Sequence, residues 1–191
     1  MTQTKSKRKI HLMPQISEYF DKSFLEREGA DLGTVLLSLE KSKQKFLSTL
    51  EGVPDEALQL SPAEHKWSPA QVADHVIRAN FFFLEALELA LERTKNPTLP
   101  IPTAPKGQLS SEGKPMAPEE EAPRAGRSRS ELVTDLERSV GELEYLGPPL
   151  EAAGQLDKLA RELHFFAPMT ALELLRLASW HMRHHARQLS S

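Results

Sequence analysis

Three stretches of this sequence begin with the same helix-starting signal, and apolar residues at helical spacing follow each one. Each stretch places a serine or threonine three residues before a glutamine or glutamate: Ser68 and Gln71, Ser128 and Glu131, Thr170 and Glu173. Such a pair satisfies two backbone N–H groups that the first turn of a helix leaves without partners. Pro69 strengthens the first signal, because proline at the first helical position gives up no helix hydrogen bond. The chain is therefore expected to be built from long helices.

The apolar pattern predicts four such helices and one shorter piece. The expected ranges are about 31–51, 67–93, 129–149 and 170–189, with a short helical piece at about 156–163. No stretch alternates apolar and polar residues as a strand does, and no glycine-rich phosphate loop follows one. Four amphipathic helices with capped ends predict an all-α fold, a four-helix bundle.

The segments outside these helices differ in character. Residues 1–28 are basic and then mixed, and we expect an N-terminal tail that packs on the domain late or not at all. Residues 29–191 form the bundle domain. Seven of the fourteen prolines fall within 95–127, between helices two and three. This proline-rich insertion is expected to be a long mobile loop, and a lid or partner-binding segment is the alternative.

Composition excludes several classes of function. A net charge of −3 gives no reason to expect a nucleic-acid partner, so the basic cluster at residues 5–9 is taken as a solvated tail. No apolar run is long enough to cross a membrane, so we expect a cytoplasmic protein without a membrane partner. The chain has no cysteine, which excludes a thiolate nucleophile or a cysteine-ligated zinc. Any metal site must therefore use histidine, carboxylate and water.

Histidines lie on the predicted core faces of two helices. Helix four has a stripe that begins with Leu174 and Ala178 and continues with His181, His185 and Gln188. Burying two imidazoles side by side is costly unless their ring nitrogens are satisfied. Two histidines one turn apart suit a single divalent metal, although an exposed or singly hydrogen-bonded pair is the alternative.

A third histidine, His75, lies on the core stripe of helix two, where a bundle can bring it to the same point. Three histidines leave coordination positions open, which is typical of a catalytic metal rather than a closed structural one. Gln188, on the same stripe as His185, is the expected hydrogen-bond partner for a ligand imidazole.

Two motifs in this order resemble the DinB-like superfamily of four-helix bundle proteins, which includes the YfiT-type metalloproteins. The first runs from Lys66 to His75, with a Trp-Ser opening and a histidine seven residues after the serine. The second is His164-Phe-Phe-Ala-Pro-Met-Thr170 followed by His181-Met-Arg-His-His185 and Gln188. The resemblance extends over about 31–189, apart from the insertion, which is longer than is usual in the family. Phe165 and Ala167 also stand where a proline and a glycine are common.

The resemblance implies a function and a ligand set. His75, His181 and His185 match the family's metal ligands, commonly described with nickel or zinc, and members are often homodimers. Characterised relatives include transferases that use low-molecular-weight thiols such as bacillithiol, a mycothiol-dependent isomerase and proposed hydrolases. We therefore expect a metal-dependent enzyme that activates water or a thiol against a small-molecule substrate. The alternative is a non-enzymatic binding or regulatory bundle with a structural or vestigial metal site.

The other histidines and the tryptophans are expected to play lesser roles. His184 is predicted to be partly exposed, His65 to lie at the surface and His164 to be a hydrogen-bonded loop residue. Trp67 and Trp180 are predicted to be packing anchors. No Ser-His-Asp arrangement is present, and no general base can be named from the sequence.

Overall fold

Four long helices dominate the computed structural model, which describes residues 15–189. Their bounds are α1 Leu32–Glu51, α2 Pro69–Glu92, α3 Arg129–Ala152 and α4 Ala171–Ala186. Short 3-10 turns occupy Ser23–Glu28 and Glu119–Glu121, and two short strands are β1 Leu159–Arg161 and β2 Met169–Thr170. The helices contact one another in the cyclic order α1, α4, α2, α3. The prediction of an all-α four-helix bundle is confirmed.

The helix starts follow the capping signals. Ser68, Ser128 and Thr170 each form the predicted reciprocal pair of hydrogen bonds with the residue three positions on. Asp31 caps α1 in the same way with Thr34, a pair that the sequence patterns above did not include. Because each cap fixes where its helix begins, the apolar stripes enter the core in the predicted register.

Helix α3 continues beyond its predicted end at Pro149, and that prediction is wrong. The helix runs through Pro148 and Pro149 to Ala152, which places Leu150 fully in the core. Each proline removes one helix hydrogen bond, but its fixed φ angle is compatible with helical backbone. Leu150 lies seven residues after Leu143 on the same buried face, and burying a leucine contributes about 1.5–3 kcal/mol. This burial offsets the lost hydrogen bonds.

The short helical piece predicted at about 156–163 is also wrong. Part of this segment is strand β1, which pairs antiparallel with β2 directly before α4. A three-residue strand is too short to give an alternating pattern in the sequence. Its burial follows from tertiary contacts, with Ala160 and Arg161 both buried.

Residues 15–28 pack on the bundle. The tail was expected to pack late or not at all, and for these residues the absence of packing is wrong, whereas late packing stays a prediction. Ile16 is 4% and Leu25 2% exposed, and the Phe24 ring lies 4.8 Å from that of Trp180. Packing buries apolar surface that would be exposed to water in a solvated tail, and this burial stabilises the segment on the bundle. Residues 1–14, with the basic cluster at 5–9, lie outside the described residues, and a domain boundary at residue 28 stays a prediction.

The proline-rich insertion 95–127 lacks long regular structure, as expected, but it lies against the bundle. Gly107 donates to the carbonyl of His164 at 2.6 Å and accepts from the amide of Ile16. A side chain at Gly107 would overlap the ring of Phe165, so this approach requires glycine. The last part of the insertion, residues 118–127, crosses α2 and is called the strap below. Within residues 15–189, no helix has the length and apolarity needed to cross a membrane.

Candidate metal centre

The structure brings His75, His181 and His185 together between α2 and α4. Each offers a ring nitrogen, and these three nitrogens all lie within 4.8 Å of one another. The ring of His75 lies 5.0 Å from that of His181 and 4.8 Å from that of His185, centroid to centroid. The convergence predicted from two helical stripes is therefore present. The capping boxes at Ser68 and Thr170 set the register that places all three rings on facing sides of the two helices.

The spacing of the nitrogens suits a single small cation. The Nε2 atoms of His181 and His185 are 3.0 Å apart. Metal–nitrogen bonds of 2.0–2.1 Å in a tetrahedral arrangement place ligand nitrogens about 3.3 Å from one another. The two imidazoles on α4 are thus close to the separation that shared ligation requires. A three-histidine group of this geometry could bind a divalent metal.

The protein orients His185 through the end of its own helix. The Nδ1 of His185 lies 2.9 Å from Oε1 of Gln188, so the ring donates its Nδ1 hydrogen to the amide oxygen. That tautomer leaves the lone pair of Nε2 facing the cluster. The predicted pairing of Gln188 with a candidate ligand is present, although Gln188 itself is exposed and follows the last residue of α4.

His75 is oriented in the same way by the strap. Its Nδ1 lies 2.8 Å from the backbone carbonyl oxygen of Glu121, which accepts the ring hydrogen and leaves Nε2 free for the cluster. Hydrogen bonds of this kind fix the tautomer and raise the basicity of a metal-binding imidazole. Sequence reasoning missed Glu121, because a backbone carbonyl carries no residue-specific signal and this one lies far along the chain.

His181 lacks such a partner among the described residues. Its Nδ1 is buried without a hydrogen bond, and its Nε2 faces His185. A buried unpaired ring nitrogen carries a desolvation penalty. The cluster therefore holds two imidazoles that the protein orients through Nδ1 and one, His181, whose Nδ1 is left with a desolvation penalty.

Burial keeps all three imidazoles neutral. Desolvation lowers the pKa of His75, and the hydrogen bond to Glu121 opposes this shift only in part. Desolvation and the neighbouring histidines hold the pKa of His181 well below its usual range. The same two causes lower the pKa of His185 to about 3. Because only neutral imidazole ligates a metal, the cluster is in its binding form at neutral pH.

Apolar and aromatic side chains surround the cluster. The Trp67 ring lies 4.9 Å from that of His75, and the Phe83 ring lies 6.3 Å from that of His181. Burial raises the pKa of the Glu121 carboxyl to about 7, with a further contribution from the neighbouring Glu120. The strap contacts His75 through the Glu121 backbone carbonyl, and the buried Glu121 carboxyl is a separate group that titrates near neutral pH.

Residues of α2 hold the strap in place on either side of His75. The buried carboxylate of Asp74 accepts from the backbone amide of Arg124 at 2.7 Å and from the guanidinium of Arg127 at 2.9 Å. Arg78 donates to the carbonyl oxygen of Glu120 at 2.5 Å. The segment that the sequence presented as an insertion therefore supplies part of the wall of the site.

The structure agrees with the predictions for the other three histidines and the two tryptophans. His184 is exposed and stacks on Trp180 with ring centroids 4.9 Å apart. His164 is a hydrogen-bonded loop residue, buried, with its Nδ1 donating to the carbonyl of Pro105 at 2.9 Å. His65 lies at the surface. Neither Trp67 nor Trp180 is fully buried, and both pack against aromatic or histidine rings.

Comparisons with known proteins identify the family. A family model described as the DinB superfamily matches residues 38–189, which is most of the chain. This range contains all three clustered histidines, the strap and Gln188. Neither the curated proteins nor the solved structures contain a match to this sequence.

Proposed function

The chain belongs to the DinB superfamily, and we propose that it uses His75, His181 and His185 to hold one divalent cation, zinc or nickel. The observation that carries this proposal is the convergence of three imidazoles from two helices, two buried and one partly buried, with ring nitrogens within 4.8 Å of one another. Histidine nitrogen is a preferred ligand of both ions.

Each of the three histidines would bind the ion through its Nε2 atom. His75 and His185 would bind through Nε2, because Glu121 and Gln188 each engage the opposite nitrogen. His181 would bind through the Nε2 that faces His185. The aromatic shell of Trp67 and Phe83 limits the access of bulk water and so strengthens electrostatic interactions within the site.

We propose further that the protein is a metal-dependent transferase or hydrolase that acts on a small molecule. A divalent cation supplies Lewis-acid activation of water or of a low-molecular-weight thiol at neutral pH. Three protein ligands leave room for such a nucleophile, which supports an activating rather than a closed site. The family resemblance supports a thiol in particular, and it also supports a homodimer. A location in the cytoplasm is a separate part of the proposal.

A specific observation favours a second candidate, a helical binding protein with a structural metal. His75 is 5% and His185 8% exposed, and the strap and Trp67 lie over His75. Burial of this degree is common in sites where the metal only stabilises the fold.

Turnover separates the two candidates. Protein reconstituted with zinc or nickel is assayed against small electrophiles with a low-molecular-weight thiol, and against ester and amide substrates with water. The enzyme proposal expects turnover that requires added metal and disappears in His185→Ala, with the surface variant His65→Asn retaining it as the control. A reconstituted protein that gains thermal stability from metal, yet turns over none of these substrates, supports the structural candidate.

A further inference from the structure

We propose that a pocket on the face of α4, next to the histidine cluster, binds a small molecule through a carboxylate or phosphate group. The pocket has a volume of about 330 Å³ and lies between α4 and the 3-10 turn Ser23–Glu28. None of its residues is among the three clustered histidines, so it is a separate binding site.

Positive charge dominates the lining of this pocket. Three arginines line it, Arg27, Arg183 and Arg187, together with the ring of His184. The one carboxylate in the lining, Glu28, already pairs with Arg183. Among residues 15–189, neither Arg27 nor Arg187 forms an ion pair. Two guanidinium groups are therefore available to an anion, and their planar donor pattern matches carboxylate and phosphate oxygens.

A buried hydrogen-bond network holds Arg183 in position. Glu28 is 2% exposed, and its Oε2 accepts from the hydroxyls of Ser38 at 2.9 Å and Ser179 at 2.8 Å. The other oxygen, Oε1, accepts from Arg183. The network spans α1, α4 and the 3-10 turn, so the floor of the pocket is fixed by the packing of the bundle.

Aromatic rings supply the rest of the wall. Phe24 and Trp180 line the pocket, and His184 stacks on Trp180 with an interplanar angle of 21°. A pocket of this volume is at the small end of the range for small-molecule sites. Its composition suits a compact ligand that has an apolar part to contact the rings and an oxyanion to meet the guanidinium groups.

The end of α4 offers a competing explanation for the positive charge. Basic residues in the last turn of a helix interact favourably with its carbonyl dipole, and Arg183, His184 and Arg187 all lie at this end. Arg27 also lies in the last turn of its own helix, but that 3-10 helix has only six residues, and its dipole does not explain why Arg27 lines the same cavity as Arg187. Two available guanidinium groups from different parts of the chain, facing one concavity, are better explained by an anionic ligand.

Isothermal titration calorimetry of the full chain tests the site, with inorganic phosphate in one arm and malonate in the other. The variants are Arg27→Gln and Arg187→Gln, both changes at exposed positions. Lys41→Gln is the control, because it removes the same charge from an exposed position on α1 outside the pocket. We expect binding of at least one anion, weakened about fivefold to tenfold in each arginine variant and unchanged in the control. The arm with the tighter binding identifies the oxyanion.

Three results would overturn the proposal. The first is no binding of either anion to the parent protein. The second is equal weakening in Lys41→Gln, which would indicate general electrostatic attraction. The third is a lower melting temperature in Arg187→Gln with unchanged anion binding, which would leave the arginine only its role at the helix end. The His181→Ala variant should retain anion binding, so the test does not depend on the metal proposal.

Discussion

The hydrogen bond between Gln188 and His185 offers a sharp test of how this chain prepares a metal ligand. Replacing Gln188 by alanine removes the acceptor that lies 2.9 Å from Nδ1 of His185. Because Gln188 is exposed and follows the last residue of α4, the change opens no cavity in the core. Its effect should therefore fall on the orientation and basicity of the imidazole.

The expected size of this effect follows from the role of such partners. Removing the hydrogen-bond partner of a metal-binding histidine typically lowers metal affinity by 10-fold to 100-fold. That range corresponds to about 1.4–2.7 kcal/mol of binding free energy. Gln188 is exposed, so water can replace part of the lost bond, and we expect the lower end of the range.

A zinc titration against a competing chelator measures the change. Gln188→Ala should weaken zinc binding about tenfold, whereas Gln188→Glu keeps an acceptor at the same place and should bind zinc at least as well as the parent. Equal affinities for the parent and the alanine variant would refute the assigned role of Gln188. So would a glutamate variant as weak as the alanine variant, since that would point to a loss other than the acceptor.

Three further predictions concern acidification, the core and the strap. In metal-free protein the lowered pKa values of the three clustered histidines mean that the unfolded chain binds more protons below about pH 6.5. Stability should therefore fall from about pH 6.5 towards the folded pKa values, by about 1.4 kcal/mol per pH unit for each histidine, and bound metal should leave through about pH 6 to 5. Denaturant melts and metal analysis at each pH check this, and full occupancy at about pH 4.5 would contradict it. Leu150→Ala should lower the free energy of unfolding in urea by about 2–5 kcal/mol. The control Leu159→Ala, at a half-exposed position, should lower it by less than about 0.5 kcal/mol. Equal losses in the two variants would mean that α3 does not continue past its prolines. Asp74→Ala should speed hydrogen exchange at the amide of Arg124 by freeing the strap, and an unchanged exchange rate would show that other contacts hold it.

Local signals in the sequence were sufficient to predict the helices and the clustered histidines. Ser68, Ser128 and Thr170 mark helix starts because each side chain bonds its own backbone within one turn. The pairing of His185 with Gln188 was predicted from a helical stripe extended to residue 189. The helix ends at Ala186, but the turn that follows it still brings Gln188 to the ring of His185. His75 could be assigned to the same site because it lies on the core stripe of helix two, where a buried imidazole is costly unless it has a partner.

Features that depend on distant contacts could not be predicted. Pro148 and Pro149 are local helix-ending signals, yet burial of Leu150 overrides them. The attachment of the strap to His75 depends on a carbonyl oxygen, which every residue possesses. Leu25 packs in the core although the basic residues before it suggested a solvated tail.

The central claim is that three particular histidines hold one divalent ion. Elemental analysis of the purified, untagged protein after exposure to zinc or nickel tests this most directly, with His181→Ala and His185→Ala beside it. His65→Asn is the control, because His65 is a surface histidine far from the cluster and asparagine tolerates its positive φ angle. We expect about one equivalent of metal in the parent and the control, and loss of that metal in both ligand variants. No metal in the parent after exposure to either ion, or equal occupancy in all four proteins, would contradict the assignment.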